Sequence, residues 1–313
     1  MAQVIATNTL SLLTQNALDR SKKSQSQAIE RLSTGKRINS ARDDAAGLAI
    51  ADRMTSQLEG LQQANRNAND GTAMAQTAES ALGSVTDNLH RIRDLVVQGL
   101  NGTYTTEDRK SINAEIESRL AEIDRVGRDT TFNSKQLLGN ADVAGSDYTK
   151  MTDEQATTTL QVGAFDGQTI DLKLIDVRDM AIKLKGGSLT DTPDQVVNGG
   201  DIIVGNHVTP GNKLIDKDGN MMSGALKLID DQVALIDNTR ASLGAQQNRL
   251  ESAVNSNAVT TTNLAAARSQ ITDADYVAEV SSMSTAQILQ QAGQNVLAQA
   301  NQIPQNVLSL LKG

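Results

Sequence analysis

Side chains that commonly perform chemistry are few in this sequence and stand far apart. The 313 residues include no cysteine and only two histidines, His90 and His207. Disulfide frameworks and Cys-ligated metal sites are therefore excluded, and neither histidine has the second histidine nearby that a zinc site needs. We interpret both histidines as surface residues, and we expect no metal and no other cofactor.

Sequence motifs that would indicate an enzyme are also missing. The chain contains no G-x-x-x-x-G-K-[ST], G-x-G-x-x-G or G-x-S-x-G motif. The segment 216–219 (DKDG) begins like a calcium loop, but its glycine is at position 4 and Lys227 stands at position 12, so we interpret it as a surface turn. The sequon at 101–103 (NGT) is interpreted as a loop that ends a helix. An enzyme whose site lies in the central region remains an alternative, resting on Asp191, Asp194 and Asp201.

Charge and hydropathy narrow the classes of partner. The net charge of −8, from 29 basic and 37 acidic residues, argues against a general nucleic-acid binder and against binding to an anionic membrane surface. No stretch reaches the roughly 18 consecutive apolar residues of a membrane span. Residues 1–18 contain no charged side chain and lack the basic start and cleavage site of a signal peptide. We therefore expect either a cytosolic protein or one secreted without a cleaved signal peptide.

Composition favours long helices over a thick aromatic core. The chain has five aromatic residues and three prolines, and no proline precedes Pro193. Because aromatic side chains normally supply much of a globular core, the core here must be built from aliphatic residues and alanine. The predicted fold class is mainly α: an elongated antiparallel helical bundle or coiled coil formed by paired N- and C-terminal segments, with a β-hairpin and a small β-rich or loop-rich central insertion.

Heptad spacing predicts the main helices. A helix over 44–99 continues through the Asn69-Asp70-Gly71 sequence, and a helix over 223–266 follows the central region. A third helix starts at a Thr105–Asp108 cap and ends near Gly127. The predicted heptad core consists of Leu82, Val85, Leu89, Ile92 and Val96 on the first helix, and of Leu226, Ile229, Val233, Ile236, Leu243, Leu250 and Val254 on the second.

The remaining elements are predicted from local signals. Ser40 and Asp43 have the spacing of a capping box that starts the 44–99 helix. Alternation over 158–175 around Asp166-Gly167 predicts a β-hairpin with a tight turn. Residues 176–222 are interpreted as a loop-rich insertion containing a short strand at 202–204.

The two chain ends carry few charges and are periodically apolar. Between Tyr276 and Gly313 only Glu279 and Lys312 are ionisable. Such segments can bury little apolar area alone, so we weigh two interpretations: assembly of many copies side by side, or an ordinary intramolecular helical hairpin. The apolar positions are Leu10, Leu13, Ala17, Ile29 and Leu32 near the start, and Val280, Ile288, Leu289, Val296, Leu297, Val307 and Leu310 near the end.

One further helix face could bind a protein. Arg91 and Leu95 are four residues apart and lie off the Leu89–Ile92 stripe, which predicts an exposed leucine beside an arginine. Spacing alone leaves open whether this is a solvated helix face or a contact surface.

Several long motifs resemble bacterial flagellins, in the same order along the chain. They cover both ends, roughly residues 1–175 and 223–313, and leave the middle unassigned. The motifs are LSTGKRINSARDDAAGLAIA at 32–51, RNANDG at 66–71, LGAQQNRL at 243–250, AQILQQAG at 286–293 and QANQIPQNVLSLL at 299–311.

The resemblance implies a structural subunit that polymerises into the helical flagellar filament used for motility, and not an enzyme. Residues 1–44 with 271–313 would form the terminal coiled coil D0, and residues 45–178 with 222–270 would form D1. Residues 179–221 would be a small variable outer insertion. Implied partners are further copies of the chain, an export chaperone that binds the C-terminal segment, a cap protein and a junction protein. The expected location is the extracellular flagellum, reached by type III export; a hook–filament junction protein is the structural alternative.

The resemblance also implies recognition by the host's Toll-like receptor 5. The residues that align with the family's recognition patch are Arg91, Leu95 and Glu115. His90 and Asp94 depart from the commonest pattern, which has Gln and Glu at these positions.

Overall fold

The structure is a computed structural model, and it describes residues 8–140, 151–185, 202–204, 207–209 and 224–311. Helices dominate this part of the chain, so the prediction of a mainly α fold is confirmed. The helices are α1 (Thr9–Thr34), α2 (Ala45–Gly99), α3 (Thr106–Asp129), α4 (Asp153–Ala156), α5 (Val177–Lys185), α6 (Ala225–Thr272) and α7 (Tyr276–Leu311). Antiparallel pairs join β1 (Thr131–Phe132) to β2 (Lys135–Gln136), β3 (Thr157–Gln161) to β4 (Thr169–Lys173), and β5 (Ile202–Val204) to β6 (His207–Thr209).

The chain divides into two compact units. The terminal unit comprises residues 1–59 and 260–313, and the central unit comprises residues 60–259. Each is described by itself below. Most of the predicted insertion, and with it Asp191, Asp194 and Asp201, lies outside the described residues.

The core of the central unit is aliphatic and follows the predicted stripes. Leu82, Val85, Leu89, Ile92 and Val96 of α2 are all fully buried. On α6, Ile229, Ile236, Leu243 and Leu250 are fully buried, while Leu226, Val233 and Val254 are half-buried. Helix α3 contributes Ile112, Ile116, Leu120 and Ile123. Leu250 belongs to a second, smaller cluster with Ala68, Val162 and Ile170.

Leu95 lies in this core, and its predicted exposure is wrong. Its side chain is only 2% exposed, and it packs in the main cluster with Leu89 and Ile92. The heptad frame treats the buried face as a narrow stripe of two positions per heptad. Because the core also includes residues of α3, α5 and α6, α2 buries a wider face that includes Leu95.

Helix α5 is an element that the prediction of a loop-rich region from residue 176 missed. It packs on α3 and buries Val177, Met180, Ala181 and Leu184, which follow i, i+3, i+4, i+7 spacing. The glycine and proline content further along the chain obscured this short helical pattern. Residues 177–185 are therefore part of the helical core of the central unit.

A buried arginine fixes the start of α5. Arg178, 4% exposed, donates from Nε to Asp124 Oδ1 (2.9 Å) and from Nη1 to the carbonyl of Asn140 (2.7 Å). Two glycines make room for it, since a Cβ at Gly127 would lie 2.7 Å from Arg178 Cγ and a Cβ at Gly139 would lie 2.7 Å from its Cδ and Cγ. The ion pair therefore joins α5 to α3 through contacts that only glycine permits.

The Asp124 carboxylate makes the stability of the central unit sensitive to acid. Burial raises its pKa, but hydrogen bonds from Arg178 and Arg128 outweigh burial and leave the pKa below its usual value. A carboxyl whose pKa is lower in the folded state stabilises the fold above its unfolded pKa of about 3.9, and this stabilisation is lost as the pH falls through the folded value. We expect Asp124→Asn to lower the free energy of unfolding by about 1–3 kcal/mol at pH 7. In urea unfolding, the gap to the parent chain should close below pH 4; a constant gap would contradict this role.

The 157–173 hairpin is present, but its connection differs from the predicted tight turn. The strands end at Gln161 and resume at Thr169, and Asp166-Gly167 lies within a longer loop that Gln168 closes by accepting from the Val162 amide (2.9 Å). The hairpin packs on glycines of α2: a Cβ at Gly60 would lie 3.1 Å from Ala164, and one at Gly71 would overlap Leu160. This packing explains why α2 continues through Asn69-Asp70-Gly71, as predicted.

Two helical glycines with opposite surroundings give a paired test of the packing. A Cβ at Gly83 of α2 meets no atom within 4 Å, whereas one at Gly127 of α3 would clash with Arg178. We expect Gly83→Ala to raise the free energy of unfolding by about 0.5–1 kcal/mol, because alanine restricts the unfolded chain. Gly127→Ala should lower it by about 1–3 kcal/mol through overpacking. Thermal unfolding of both variants checks the signs; a shift in the same direction for both would contradict the described packing.

Candidate assembly surfaces

The terminal unit is built around α1 and α7, which pack against each other in antiparallel orientation. The Asn8 side chain donates to the carbonyl of Ala300 (2.8 Å), and Ser21 Oγ donates to the carbonyl of Ala286 (2.7 Å). Arg31 and Glu279 form an ion pair at 3.5 Å toward the opposite end of the pair. Hydrogen bonds and one ion pair therefore set the register of the two helices.

The interface between α1 and α7 is lined mainly by small side chains. On α1 the buried residues recur at spacings of three, four and seven, and include a single large apolar residue, Leu18. Gly293 of α7 faces it, since a Cβ there would lie 3.4 Å from Leu18 Cδ1. Small residues bring the helices close but bury little apolar area. The buried residues are Ser11, Thr14, Leu18, Ser21 and Ala28 on α1, with Ala286 and Ala300 on α7.

Most of the large apolar residues described on the same two helices are exposed outside the interface. Leu13 is 69% exposed, Ile288 is 64% exposed and Leu289 is 57% exposed. This arrangement reverses the usual amphipathic helix, which buries its large apolar residues and exposes its small polar ones. The other exposed members are Leu10, Leu12 and Ile29 on α1, and Tyr276, Val277 and Val296 on α7. We call this set the terminal apolar surface.

Most terminal residues singled out in the sequence can be placed relative to this surface. Leu10, Leu13, Ala17 and Ile29 are exposed, and Leu32 is half-buried. On α7, Ile288, Leu289 and Val296 are exposed, whereas Val280 and Leu297 are half-buried. Val307 and Leu310 fall within α7, but their side chains lie outside the described residues. The apolar stripe at the chain start therefore marks an outward face, and the inward face is marked by Ser11, Thr14 and Ser21.

The two connections that lead into and out of this helix pair are tied together. Gly35 caps the carboxyl end of α1 with a φ of 69°, which favours glycine, and Lys36 forms an antiparallel bridge with Asp273. The Arg37 amide donates to the carbonyl of Thr272 (2.7 Å), and its guanidinium Nη2 donates to that of Ile271 (2.6 Å). Arg37 therefore satisfies carbonyl groups at the end of α6 that the helix leaves without partners.

The cap of α2 lies four residues later than predicted. Ser40 and Asp43 form a turn in which Asp43 Oδ2 accepts from the Ser40 amide (3.0 Å) and hydroxyl (3.0 Å). Asp44 is the residue that caps the helix, since its Oδ1 accepts from the Gly47 amide (2.8 Å). Hydrogen bonds from Ser40 and the Asn39 amide hold the pKa of Asp43 below its usual value. The capping-box spacing therefore marks the turn before α2.

In the central unit, Arg91 and Glu115 meet across α2 and α3. Arg91 Nε donates to Glu115 Oε1 (2.9 Å), and both side chains remain accessible, at 50% and 37% exposure. Arg119 lies on the same face and donates to Asn88 Oδ1 (3.3 Å). Leu95, the third residue singled out there, lies in the core one turn along α2. The exposed face is therefore polar and charged.

Neither a metal site nor a membrane span is found in the described part of the chain. No group of three His, Asp or Glu residues there could hold a metal ion. None of the described helices is both long enough and apolar enough to cross a bilayer.

Comparisons with known proteins indicate one family. The family model for the bacterial flagellin N-terminal helical region matches residues 5–142, and that for the C-terminal helical region matches residues 226–311. Flagellin from Xenorhabdus nematophila is 47% identical and flagellin from Serratia marcescens is 42% identical, each covering the whole of both chains. Among solved structures, the crystal structure of Bacillus cereus flagellin has a TM-score of 0.43 at 24% identity, over 65% of this chain and 94% of that one.

The long helices and these full-length matches define a structural protein of the flagellar filament. The chain belongs to the bacterial flagellin family.

Proposed function

We propose that the terminal apolar surface is the part of the chain that drives polymerisation, and that other copies of the same chain cover it in the filament. The observation that carries this proposal is the outward position of the large apolar residues on both terminal helices, including Leu13, Ile288 and Leu289. Apolar surface removed from water contributes roughly 25 cal/mol per Å². This favourable free energy is absent in an isolated chain and is gained when the chain assembles.

The few charges on α7 support the same role. Burial of an unpaired charge costs several kcal/mol, so a segment that is to be surrounded by identical segments must carry few of them. Glu279 is the one acidic residue of α7, and it is paired with Arg31. A single repeated contact between different faces of identical subunits, with a rotation that does not close, generates an open helical tube.

We propose that the terminal segments become fully ordered on assembly. Ordering the backbone costs roughly 1–2 kcal/mol per residue, and the small interface between α1 and α7 offsets little of it. Under this proposal residues 1–44 with 271–313 act as the assembly domain, and residues 45–178 with 222–270 act as the wall domain. The small outer part is then residues 186–221, not 179–221, because α5 places residues 179–185 in the helical core.

Truncation tests this function directly. Chains lacking residues 1–40 or 275–313 should fail to extend sheared filament seeds, while far-UV circular dichroism shows that the helices of residues 60–259 persist. Negative-stain microscopy of the full chain with seeds should show long filaments; a junction protein would not grow them. Normal filament growth by either truncated chain would overturn the proposal.

The exposed apolar residues of α7 also suit an export partner. We propose that a flagellin-type chaperone covers Ile288, Leu289, Val296, Leu297, Val307 and Leu310 before type III export, and that the chain joins the extracellular filament beneath a cap protein. The same chemistry explains both roles, since one apolar surface can be covered by a chaperone first and by other subunits later. Chaperone binding and polymerisation should therefore compete in solution.

A second proposed interaction is with Toll-like receptor 5, at the Arg91–Glu115 face. The exposed ion pair offers a cation and an anion in fixed geometry, and buried Leu95 holds this part of α2 in the core. Arg91→Ala should weaken receptor binding about tenfold, equivalent to about 1.4 kcal/mol. Arg93→Ala is the matched control, because Arg93 forms a similarly exposed pair with Asp230 of α6 at 2.7 Å. Equal weakening by both variants would contradict the assignment of this face.

A further inference from the structure

The loop between α2 and α3 carries an asparagine–glycine pair. Helix α2 ends at Gly99 and α3 starts at Thr106, and Asn101, Gly102 and Thr103 between them are exposed. We propose that Asn101 is a site of spontaneous modification, at which its side-chain amide converts to aspartate and isoaspartate without an enzyme. The proposal is independent of the assembly function.

The nucleophile of this reaction, the Gly102 amide nitrogen, is available. Within the described part of this loop, the backbone amides of Asn101, Thr103 and Tyr104 donate hydrogen bonds, whereas the Gly102 amide has no acceptor. A Cβ placed at Gly102 meets no atom within 4 Å, so the space around the peptide is open. The absence of a side chain also leaves the backbone free to rotate toward Asn101.

The electrophile is held and polarised by the next peptide. The Thr103 amide donates to Asn101 Oδ1 at 3.3 Å. This donor is aimed at the oxygen on which negative charge develops when the side-chain carbonyl is attacked. A backbone amide in that position acts as an oxyanion-stabilising group does in acyl transfer.

The reaction balances with water as its only co-reactant. The Gly102 nitrogen, losing its proton to solvent base, bonds to Asn101 Cγ, and the Cγ–Nδ2 bond breaks. The leaving nitrogen takes up a proton and departs as ammonia, which leaves a five-membered succinimide. Water then opens either carbonyl of that ring: one opening gives aspartate, and the other gives isoaspartate with one extra atom in the backbone. No oxidation or reduction occurs.

Helix α2 contains residues that can be compared with the Asn101-Gly102 loop. Asp70-Gly71 lies within this helix, where helical ψ and the i→i−4 hydrogen bonds hold each amide away from the preceding side chain. Asn67, Asn69 and Asn88 lie in the same helix. Each of them is followed by a residue with a side chain, so the helix and the following residue should both slow their conversion relative to that of Asn101.

The product alters the charge where α2 ends. Aspartate or isoaspartate at position 101 adds a negative charge two residues beyond the carboxyl end of the helix, where the helix dipole disfavours anions. A fraction of the purified chains should therefore become more acidic with time.

Tryptic mass spectrometry of the full chain tests the proposal. The purified protein is incubated at mildly alkaline pH and sampled over time, and peptide 94–109 reports Asn101 as its one asparagine. Peptide 67–91 holds the helical controls, and synthetic peptide 94–109 gives the rate without the fold. Gly102→Ala, which fits the open space, should slow conversion about tenfold because alanine restricts the attacking backbone.

Peptide 94–109 should gain the mass difference between an amide and a carboxylic acid, and chromatography should separate its aspartate and isoaspartate forms. The rate of this conversion should equal or exceed that of the synthetic peptide. Peptide 67–91 from the same digest should stay unchanged. A native-chain rate below that of the synthetic peptide would overturn the proposal, as would equal conversion in both tryptic peptides or an unchanged rate in Gly102→Ala.

Discussion

Replacement of Ile288 and Leu289 by aspartate is expected to abolish seeded filament growth while the free chain keeps its helical content. Both side chains are more than half exposed on α7, so the isolated molecule should tolerate carboxylates there. In a filament the same positions would be covered by neighbouring copies, and each unpaired buried carboxylate costs several kcal/mol in every subunit. Light scattering after addition of sheared seeds measures the growth, and far-UV circular dichroism monitors the free chain.

The matched control keeps both positions apolar. Ile288→Leu combined with Leu289→Ile should grow filaments at close to the parent rate, because the apolar area is almost unchanged. Filament growth by the aspartate variant would show that neighbouring subunits leave this part of α7 in water, and the proposed role of the terminal apolar surface would fail.

The largest loss of stability should come from the heptad core of the central unit. Leu89 is fully buried among residues of α2, α3, α5 and α6. Leu89→Ala removes buried methyl groups and leaves a cavity, so we expect the free energy of unfolding to fall by about 2–5 kcal/mol. Urea unfolding followed by circular dichroism gives the value, with the slope of the transition compared between variants.

Leu235→Ala is the control for that substitution. Leu235 lies on α6 but is 45% exposed, and an exposed leucine contributes little to the fold. Its replacement should change the free energy of unfolding by less than about 0.5 kcal/mol. Similar losses for both variants would show that the buried stripe is not what stabilises the helices.

Much of the fold follows from periodicity alone. Helices α2 and α6, the Thr105–Asp108 capping box of α3 and the 202–204 strand lie close to where the sequence predicts them. These elements are long or carry specific local signals, so they can be predicted without knowing which other parts of the chain pack against them. Helix α6 extends to Thr272, beyond the predicted 266.

The errors arise where one element depends on several others. Leu95 looks peripheral to a two-position stripe, but a helix with neighbours on two sides buries a wider face. Helix α5 is short, and its apolar face is buried in a cluster that includes residues of α3, on which it packs. The β1–β2 turn was missed as well: Asn133 and Ser134 both have positive φ (47° and 64°), typical of a tight hairpin turn, but two-residue strands leave no alternation to detect.

The candidate sites were only partly predictable for a related reason. A low-charge, periodically apolar segment is compatible with an ordinary helical hairpin or with assembly, since both bury an apolar stripe. The direction in which Leu13 and Ile288 point separates the two, and that direction depends on which faces of α1 and α7 meet. The pairing of Arg91 with Glu115 likewise depends on how α2 packs against α3.

Amide hydrogen exchange of the terminal helices, compared between free chain and filament, tests the assembly mechanism most directly. We expect residues 9–34 and 276–302 to exchange rapidly in dilute solution and to become strongly protected in filaments, while the α2 core around Leu82–Ile92 is protected in both. Terminal helices that are already as well protected in the free chain as in the filament would contradict the claim that neighbouring copies supply their stability.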